Sequence, residues 1–410
     1  MATAEELAFL SRVRDRPDDD GPRFIFADWL DERGDARGEF IRVQCALAHL
    51  SSDDPRRADL EIREQALLDT YRTSWTKRLQ GLASDFTYRR GFIESISVDA
   101  SAFAERGIEI FRHGPIRRVR FLDVGNCFAK LVDSPLLGKV PEIDLCGSNL
   151  GNAGVGQLAR ARQLTHLEVL HLGFNDLTDQ GLRTLADIPH LSGLRELCLN
   201  DNKHLGTPGL RALADSPFFG ELRRLDLSGN NLGEPALKVL INGDSIKELD
   251  ALVLHGNLIG DGGVEALARS DLLKRMLRRS PALDLSRNNI GPVGARALAE
   301  SPLVEPLEML DLTANAIGDA GLESLAQSPY LRNLKRLILN ENRIGDPGVR
   351  ALACSRLTET LTSIDLRGNF VTSESVRALD EATVAIDWQK KIEIRHDAGL
   401  HLRAPRLLGR

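Results

Sequence analysis

The side chains of this 410-residue sequence that could carry chemistry are its 9 histidines, 5 cysteines and 59 carboxylates. Their spacing serves no catalytic template. There is no HExxH to ligate zinc from one helix face, no GxSxG elbow to expose a serine, and no GxxxxGK[ST] loop to cradle phosphates. His166 and His171, the closest histidine pair within the repeats described below, fall on opposite sides of a strand pattern. Cys45, Cys127, Cys146, Cys198 and Cys354 are scattered, odd in number and free of CxxC. That excludes a disulfide framework and a thiolate zinc site. One local crowd of carboxylates exists, at Asp28, Asp31, Glu32 and Asp35. Arg23, Arg33 and Arg37 stand near enough to pair with it, so it reads as a solvated helix face, not a metal site. The expectation is therefore a non-enzyme with no catalytic residue, no metal and no cofactor.

Composition narrows the remaining classes. At 42% hydrophobic the chain can bury a core, and no window of 18 uninterrupted apolar residues offers a membrane span. A formal net charge of −6 argues against a dedicated nucleic-acid binder. The opening MATAEELAFLSRVRDRPDDD lacks the apolar h-region of a secretory leader, so a cytoplasmic location is expected. Aromatic residues are only 5% of the chain, and most of them precede residue 130.

The elements that would position any surface come from a repeat. Strand-like triplets recur at Ile143-Asp144-Leu145, Leu170-His171-Leu172, Leu197-Cys198-Leu199, Leu225-Asp226-Leu227 and Leu252-Val253-Leu254. They continue at Leu283-Asp284-Leu285, Leu310-Asp311-Leu312, Leu337-Ile338-Leu339 and Ile364-Asp365-Leu366. Three positions after each stands Ser148 and then Asn175, Asn202, Asn230, Asn257, Asn288, Asn315, Asn342 and Asn369, at steps of 27, 27, 28, 27, 31, 27, 27 and 27. The LxxLxLxxN half alternates apolar and polar, the mark of a strand with one buried face. A glycine-containing turn and a helical stretch follow. Asp179, Thr207, Asp261, Asp319, Asp346 and Ser373 are candidate N-caps of these helices, with Pro208, Pro235 and Pro347 one position on. Ser216-Pro217, Ser301-Pro302 and Ser328-Pro329 close helices. The asparagines read as a structural ladder whose side-chain amides satisfy backbone groups where strand becomes turn.

This pattern, LxxLxLxxN-x-Φ-G-D-x-G-xx-Φ-A, resembles the leucine-rich repeat of the ribonuclease-inhibitor type and covers roughly residues 115–380. The resemblance implies an α/β fold, a horseshoe-shaped solenoid with a parallel sheet on the concave side and helices on the convex side. Residues 24–44, with Phe24-Ile25-Phe26-Ala27-Asp28-Trp29-Leu30 and Glu39-Phe40-Ile41-Arg42-Val43-Gln44, are similar to the bacterial repeat-companion domain, a small all-α module found beside such repeats. Helices are expected at about 4–14, 21–33, 36–49 and 56–71, with Gly34 as a C-cap and Trp29 as a core anchor. The organisation expected is a helical module over 1–75, degenerate first repeats over 76–139, nine clear repeats over 140–383, and a cap and tail over 384–410. Within 76–139 the stretches Ile93–Val98 and Ile116–Phe121 alternate like strands, and a helix is expected over Ala102–Phe111. The tail begins with a strand-like stretch near Ile394 and ends in a basic terminus containing Arg395, Arg403, Arg406 and Arg410.

What remains as a functional candidate is a surface. In such repeats the polar strand positions face the concave side, which places Asp144, His171, Asp226, Asp284, Asp311 and Asp365 in one row. Phe174, Arg224, His255, Arg287, Met309, Arg336 and Arg367 are interspersed on the same face. Arginine and aromatic side chains are the types that become interface hot spots. The 31-residue step carries a second candidate, a basic patch of Lys274, Arg275, Arg278 and Arg279 whose apolar neighbours would continue the convex helix. The function expected is a monomeric, non-enzymatic protein–protein interaction scaffold whose partner is another protein, not nucleic acid or membrane. The alternative that the family resemblance implies is a regulator, inhibitor or activator, of an enzyme such as a ribonuclease or a small GTPase. An acidic face suits a basic client.

Overall fold

The computed structural model describes residues 4–51, 54–386 and 393–395. Its contacts divide the chain into two compact units, Met1–Leu150 with Gly156–Leu172, and Gly151–Val155 with Gly173–Arg410. Among the described residues no helix is long and apolar enough to cross a membrane.

The first unit begins with four helices, α1 (Ala4–Asp15), α2 (Gly21–Asp31), α3 (Arg37–His49) and α4 (Arg57–Thr76). Gly34 takes the left-handed conformation (φ 66°) that ends α2 and turns the chain toward α3. The antiparallel hairpin β1 (Ser84–Arg89) and β2 (Phe92–Asp99) follows, then α5 (Ala100–Ile110), β3 (Arg118–Leu122), α6 (Phe128–Asp133) and β4 (Glu142–Asp144). After α7 (Gly151–Leu158), whose residues are divided between the two units, comes β5 (Val169–His171). Strands β2 to β5 are parallel.

Two aromatic-rich clusters bind helices to hairpin. Phe26 of α2 stacks on Phe92 of β2 at 5.8 Å, within a core of Leu10, Val13, Ala27, Leu30, Ile41 and Cys45. Phe40 of α3 contacts Trp75 of α4 and Tyr88 of β1 in the second cluster. The hairpin tip is held by Gln44, which accepts the Gly91 N–H at 2.6 Å. Gly91 has φ 88° and lies so close to Ile41 that a Cβ would collide with it. Strand β1 has no counterpart in the expected layout, although its Phe86-Thr87-Tyr88-Arg89 alternates; its register with β2 shifts around Thr87.

The second unit is a stack of strand–turn–helix repeats. Its elements are α8 (Asp179–Ala186), β6 (Glu196–Cys198), α9 (Thr207–Ala214), β7 (Arg224–Asp226), α10 (Glu234–Ile241) and β8 (Ala251–Val253). Next come α11 (Gly260–Leu267), α12 (Asp271–Arg279), β9 (Ala282–Asp284), α13 (Pro292–Ala299), β10 (Met309–Asp311) and α14 (Gly318–Ala326). The series closes with β11 (Arg336–Ile338), α15 (Asp346–Ala353), β12 (Ser363–Asp365), α16 (Ser373–Ile386) and β13 (Glu393–Arg395). Strands β6–β8 pair in parallel, and so do β9–β13. The basic terminus at Arg403, Arg406 and Arg410 lies outside the described residues.

Each repeat buries the same leucines. Leu225, Leu227, Leu232, Leu237 and Leu240 are enclosed in one repeat, and Leu310, Leu312, Ile317, Leu322 and Leu325 in another. Burial of one such side chain is worth about 2 kcal/mol relative to exposure.

Polar ladders then connect one repeat to the next. Asn315 Oδ1 accepts the N–H groups of Asn288 and Ile290, 3.0 and 2.9 Å away, while its amide donates to the carbonyls of Leu285 and Leu312. Asn257 and Asn369 do the same for their predecessors. A second ladder differs from the expected capping. Asp179, Asp261 and Asp319 cap the helix of the following repeat, not their own. Asp261 Oδ1 accepts from Gly291 and Gly294, and Asp319 Oδ1 from Gly345 and Gly348, at 2.7–3.0 Å. Asp179 serves Gly206 and Gly209. A Cβ on Gly209, Gly294 or Gly348 would sit 2.7 Å from that carboxylate, which explains the glycine of the GDxG turn. A third ladder uses the Ser-Pro pairs. The hydroxyls of Ser216, Ser301 and Ser328 donate to the last carbonyls of the preceding helix, at Ala186, Ala268 and Ala299.

Candidate functional site

The outward row of aspartates is first of all structural. Asp144 in the first unit, and Asp226, Asp284, Asp311 and Asp365 in the second, each accept the N–H of the residue two positions on, at 2.8–3.3 Å. This turn ends each three-residue strand and bends the chain toward the asparagine. One carboxylate oxygen per repeat is thereby committed.

In the first unit Arg118 bridges Glu142 at 3.1 Å and Asp144 at 3.0 Å, and His171 lies 3.2 Å from Glu142. Burial pushes the Asp144 carboxyl up, but the Cys146 N–H and Arg118 outweigh it and hold it below the usual carboxylate range. Asp365 in the second unit behaves alike, burial opposed by hydrogen bonds and charge from Arg367. Burial raises the Cys198 thiol between Glu196 and Asp226, which keeps it protonated.

The cations of the second unit's strand face divide into used and unused. Arg224 is held by Glu196 at 3.1 Å, and Arg367 forks onto Asp365. Arg287 and Arg336 are exposed and form no ion pair with any described residue. His255 is exposed and Met309 half-buried on the same strand face, while Phe174 exposes 59% of its surface. Met309 lies directly beside Arg336 in the β10–β11 register.

A feature not anticipated concerns how these side chains are aimed. The residue before each ladder asparagine adopts positive φ, from 53° to 71°, at Phe174, Asp201, Gly229, Gly256, Arg287, Ala314, Glu341 and Gly368. Glycine is the natural occupant, and a bulky side chain there carries about 1–2 kcal/mol of strain. Phe174 and Arg287 are thus held out at strained positions. The recurrent Gly-Asn pairs at Gly229, Gly256 and Gly368 were the available signal in the sequence.

The basic patch is split by its fold. Ser270 caps α12 through the Leu273 N–H, so α12 is a separate helix and does not continue α11. Arg275 reaches the Leu249 carbonyl at 3.3 Å and Arg279 faces Asp250 at 3.7 Å, while Lys274 and Arg278 are exposed. In the first unit the carboxylates Asp28 and Asp31 are both engaged by Arg42, while of the arginines expected Arg33 meets Glu32 at 3.7 Å. Arg23 and Arg37 are drawn inward over Phe92, and Arg33 lies 3.9 Å over the ring of the half-buried Trp29.

Family models described as leucine-rich repeat match residues 163–186, 282–299, 306–326 and 330–353, and a second such model matches 221–241. No curated protein matches the sequence. Among solved structures, the chain is similar to an internalin from Listeria monocytogenes, at 18% identity and a TM-score of 0.38, covering 70% of this chain and 85% of that one. It is also similar to a chain of the mouse RP105/MD-1 complex, at 17% identity and a TM-score of 0.38, covering 72% of this chain and 56% of that one. The matched segments are strand–turn–helix units described above, which are thus leucine-rich repeats.

Proposed function

We propose that the chain is a protein–protein interaction scaffold that binds its partner through the strand face of the second unit and performs no catalysis of its own. The observation that carries this reading is that Arg336, beside Met309, and Arg287, at the turn after β9, are both exposed and unpaired among the described residues. Structural need explains the aspartates of that face but not these arginines. Arginine offers a planar donor fork and a broad apolar stem, and its placement on the repeats of β9 and β11, either side of β10, limits the entropy lost on docking.

Asp226, Asp284 and Asp311 each retain an oxygen outside the turn and would set the charge pattern a partner must match. Kinship with the ribonuclease-inhibitor type of repeat is part of this reading, supported by the helix in every repeat. So is kinship of residues 1–75 with a repeat-companion module, supported by its four short helices. Regulation of a ribonuclease or small GTPase is a narrower form that no particular side chain favours over simple docking.

The test is affinity capture from a native lysate with the full chain, the double variant Arg287→Glu/Arg336→Glu, and Lys274→Glu/Arg278→Glu on α12. Specific partners captured by the full chain should fall at least tenfold with the strand-face variant and persist with the α12 variant. The reverse pattern would move the site to α12, and loss with neither would remove the strand face from the proposal.

A further inference from the structure

The 31-residue step between Asn257 and Asn288 coincides with a break in the second unit that has three separate signs. Strands β8 and β9 belong to different sheets, whereas the strands on either side of them are paired. Asn288 is fully buried, yet its Oδ1 has no hydrogen-bond partner among the described residues. In the next repeat the equivalent oxygen accepts two backbone N–H groups. Residues 282 and 284 of β9 are both exposed, while the matching residues of β7, β8 and β10 are half-buried.

The sequence supplies two causes. In the regular repeats two successive N–H groups share one carbonyl at the strand start, as Asp250 and Ala251 do with Arg223, and Glu308 and Met309 with Pro281. At the start of β9 the first of these positions is Pro281, which has no N–H to give. The chain also enters β9 from α12, where a neighbouring repeat uses only the short turn Pro302–Val304. Helix α12 packs against β8 on one side and that following turn on the other, so it stands as a wedge at the strand starts.

The opposite ends of the strands remain joined. Gly256 and Gly260 donate to Ser286 and Asn288 at 2.9 Å, and α11 packs directly on α13. A third strand therefore cannot enter the gap, which is closed along the turns and open only at the strand starts.

We infer that the β8–β9 seam is a hinge, about which β6–β8 and β9–β12 change their relative inclination while the turns and the helix layer act as the pivot. Small rotations there re-space side chains across the seam, such as Arg224 and Met309, without breaking the leucine core. The missing ladder bonds lower the cost of opening at this step relative to every intact one.

The test compares two pairs of spin labels that each span three strand steps, in a Cys127→Ser/Cys146→Ser/Cys354→Ser background. Arg224→Cys/Met309→Cys crosses the seam, and Ala282→Cys/Ser363→Cys does not. Double electron–electron resonance should give a distance distribution at least twofold broader for the seam pair. Hydrogen exchange of the unlabelled full chain should show amides 254 and 282 exchanging at least tenfold faster than amides 285 and 309. Equal widths for the two pairs, or equal protection at those amides, would overturn the hinge.

Discussion

The two units reach stability by different means. In the first, α1–α4 are tied to the β1–β2 hairpin by side chains that occur once each, with Phe26 on Phe92, Phe40 between Trp75 and Tyr88, and Gln44 on Gly91. In the second, aliphatic side chains and three polar ladders recur in repeat after repeat. Among the described residues the aromatic ring pairs fall between Phe9 and Phe121. A unique core allows large rings to fit one another. A repeating core must admit its neighbour's copy at every step, so it selects branched aliphatics of nearly constant volume. Damage should accordingly be cooperative in the first unit and graded with distance in the second.

The largest effect is expected from Phe92→Ala. It empties the contact between β2 and the helices, where Phe92 meets Phe26, at a cost of about 4 kcal/mol. Segment-resolved hydrogen exchange should show α2, α3 and β2 losing protection together while β10–β12 keep theirs. Protection lost only next to residue 92 would break the contrast. Asn315→Ala should cost about 3 kcal/mol, because it strands two buried N–H groups and the Leu285 carbonyl, while Leu312 keeps the Asn342 amide. Here the loss of protection should be greatest in the repeats containing β9 and β10 and decline in those beyond, as in a nearest-neighbour stack. A uniform loss over the second unit would refute it.

The smallest effect is a dependence on acid. The folded carboxyls of Asp144 and Asp365 titrate below the usual range, so the stability they contribute is complete above about pH 4, the unfolded value. It is lost as the pH falls through their lower folded values. Asp144→Asn should flatten the fall in protection between pH 4.5 and about pH 3 in the first unit, and Asp365→Asn in the second, since asparagine keeps the turn but carries no charge. Unchanged acid profiles in both variants would show that these pairs do not tune either unit.

Much of the fold was readable without coordinates, for reasons visible in particular residues. Leu225-Asp226-Leu227 to Asn230 carries strand, turn and ladder in six residues, because its determinants are local and periodic. Helices α2 and α3 were also readable, from their apolar spacing and from Gly34. Strand β1 was not anticipated, since its alternation spans only Phe86 to Arg89. The face carrying Asp226, Asp284 and Asp311 could be named from alternation alone, but the commitment of those carboxylates to turns could not. Nor could the distinction between Arg224, held by Glu196 on the adjacent strand, and Arg287 and Arg336, which are unpaired among the described residues.

The sequence by itself determined the repeat, its period and the residues that point inward, because a period of two in the strand and a helical period after the turn are properties of the local backbone. Tertiary structure decided which repeat each polar group serves. Asp261 is 30 residues from Gly291, and only the stacking of successive turns brings the carboxylate of one to the helix start of the other. It also decided where the ladder fails. Four added residues and one proline are plain in the sequence, but the unpaired Asn288 oxygen and the parted strands exist only once α12 has to find room beside β8.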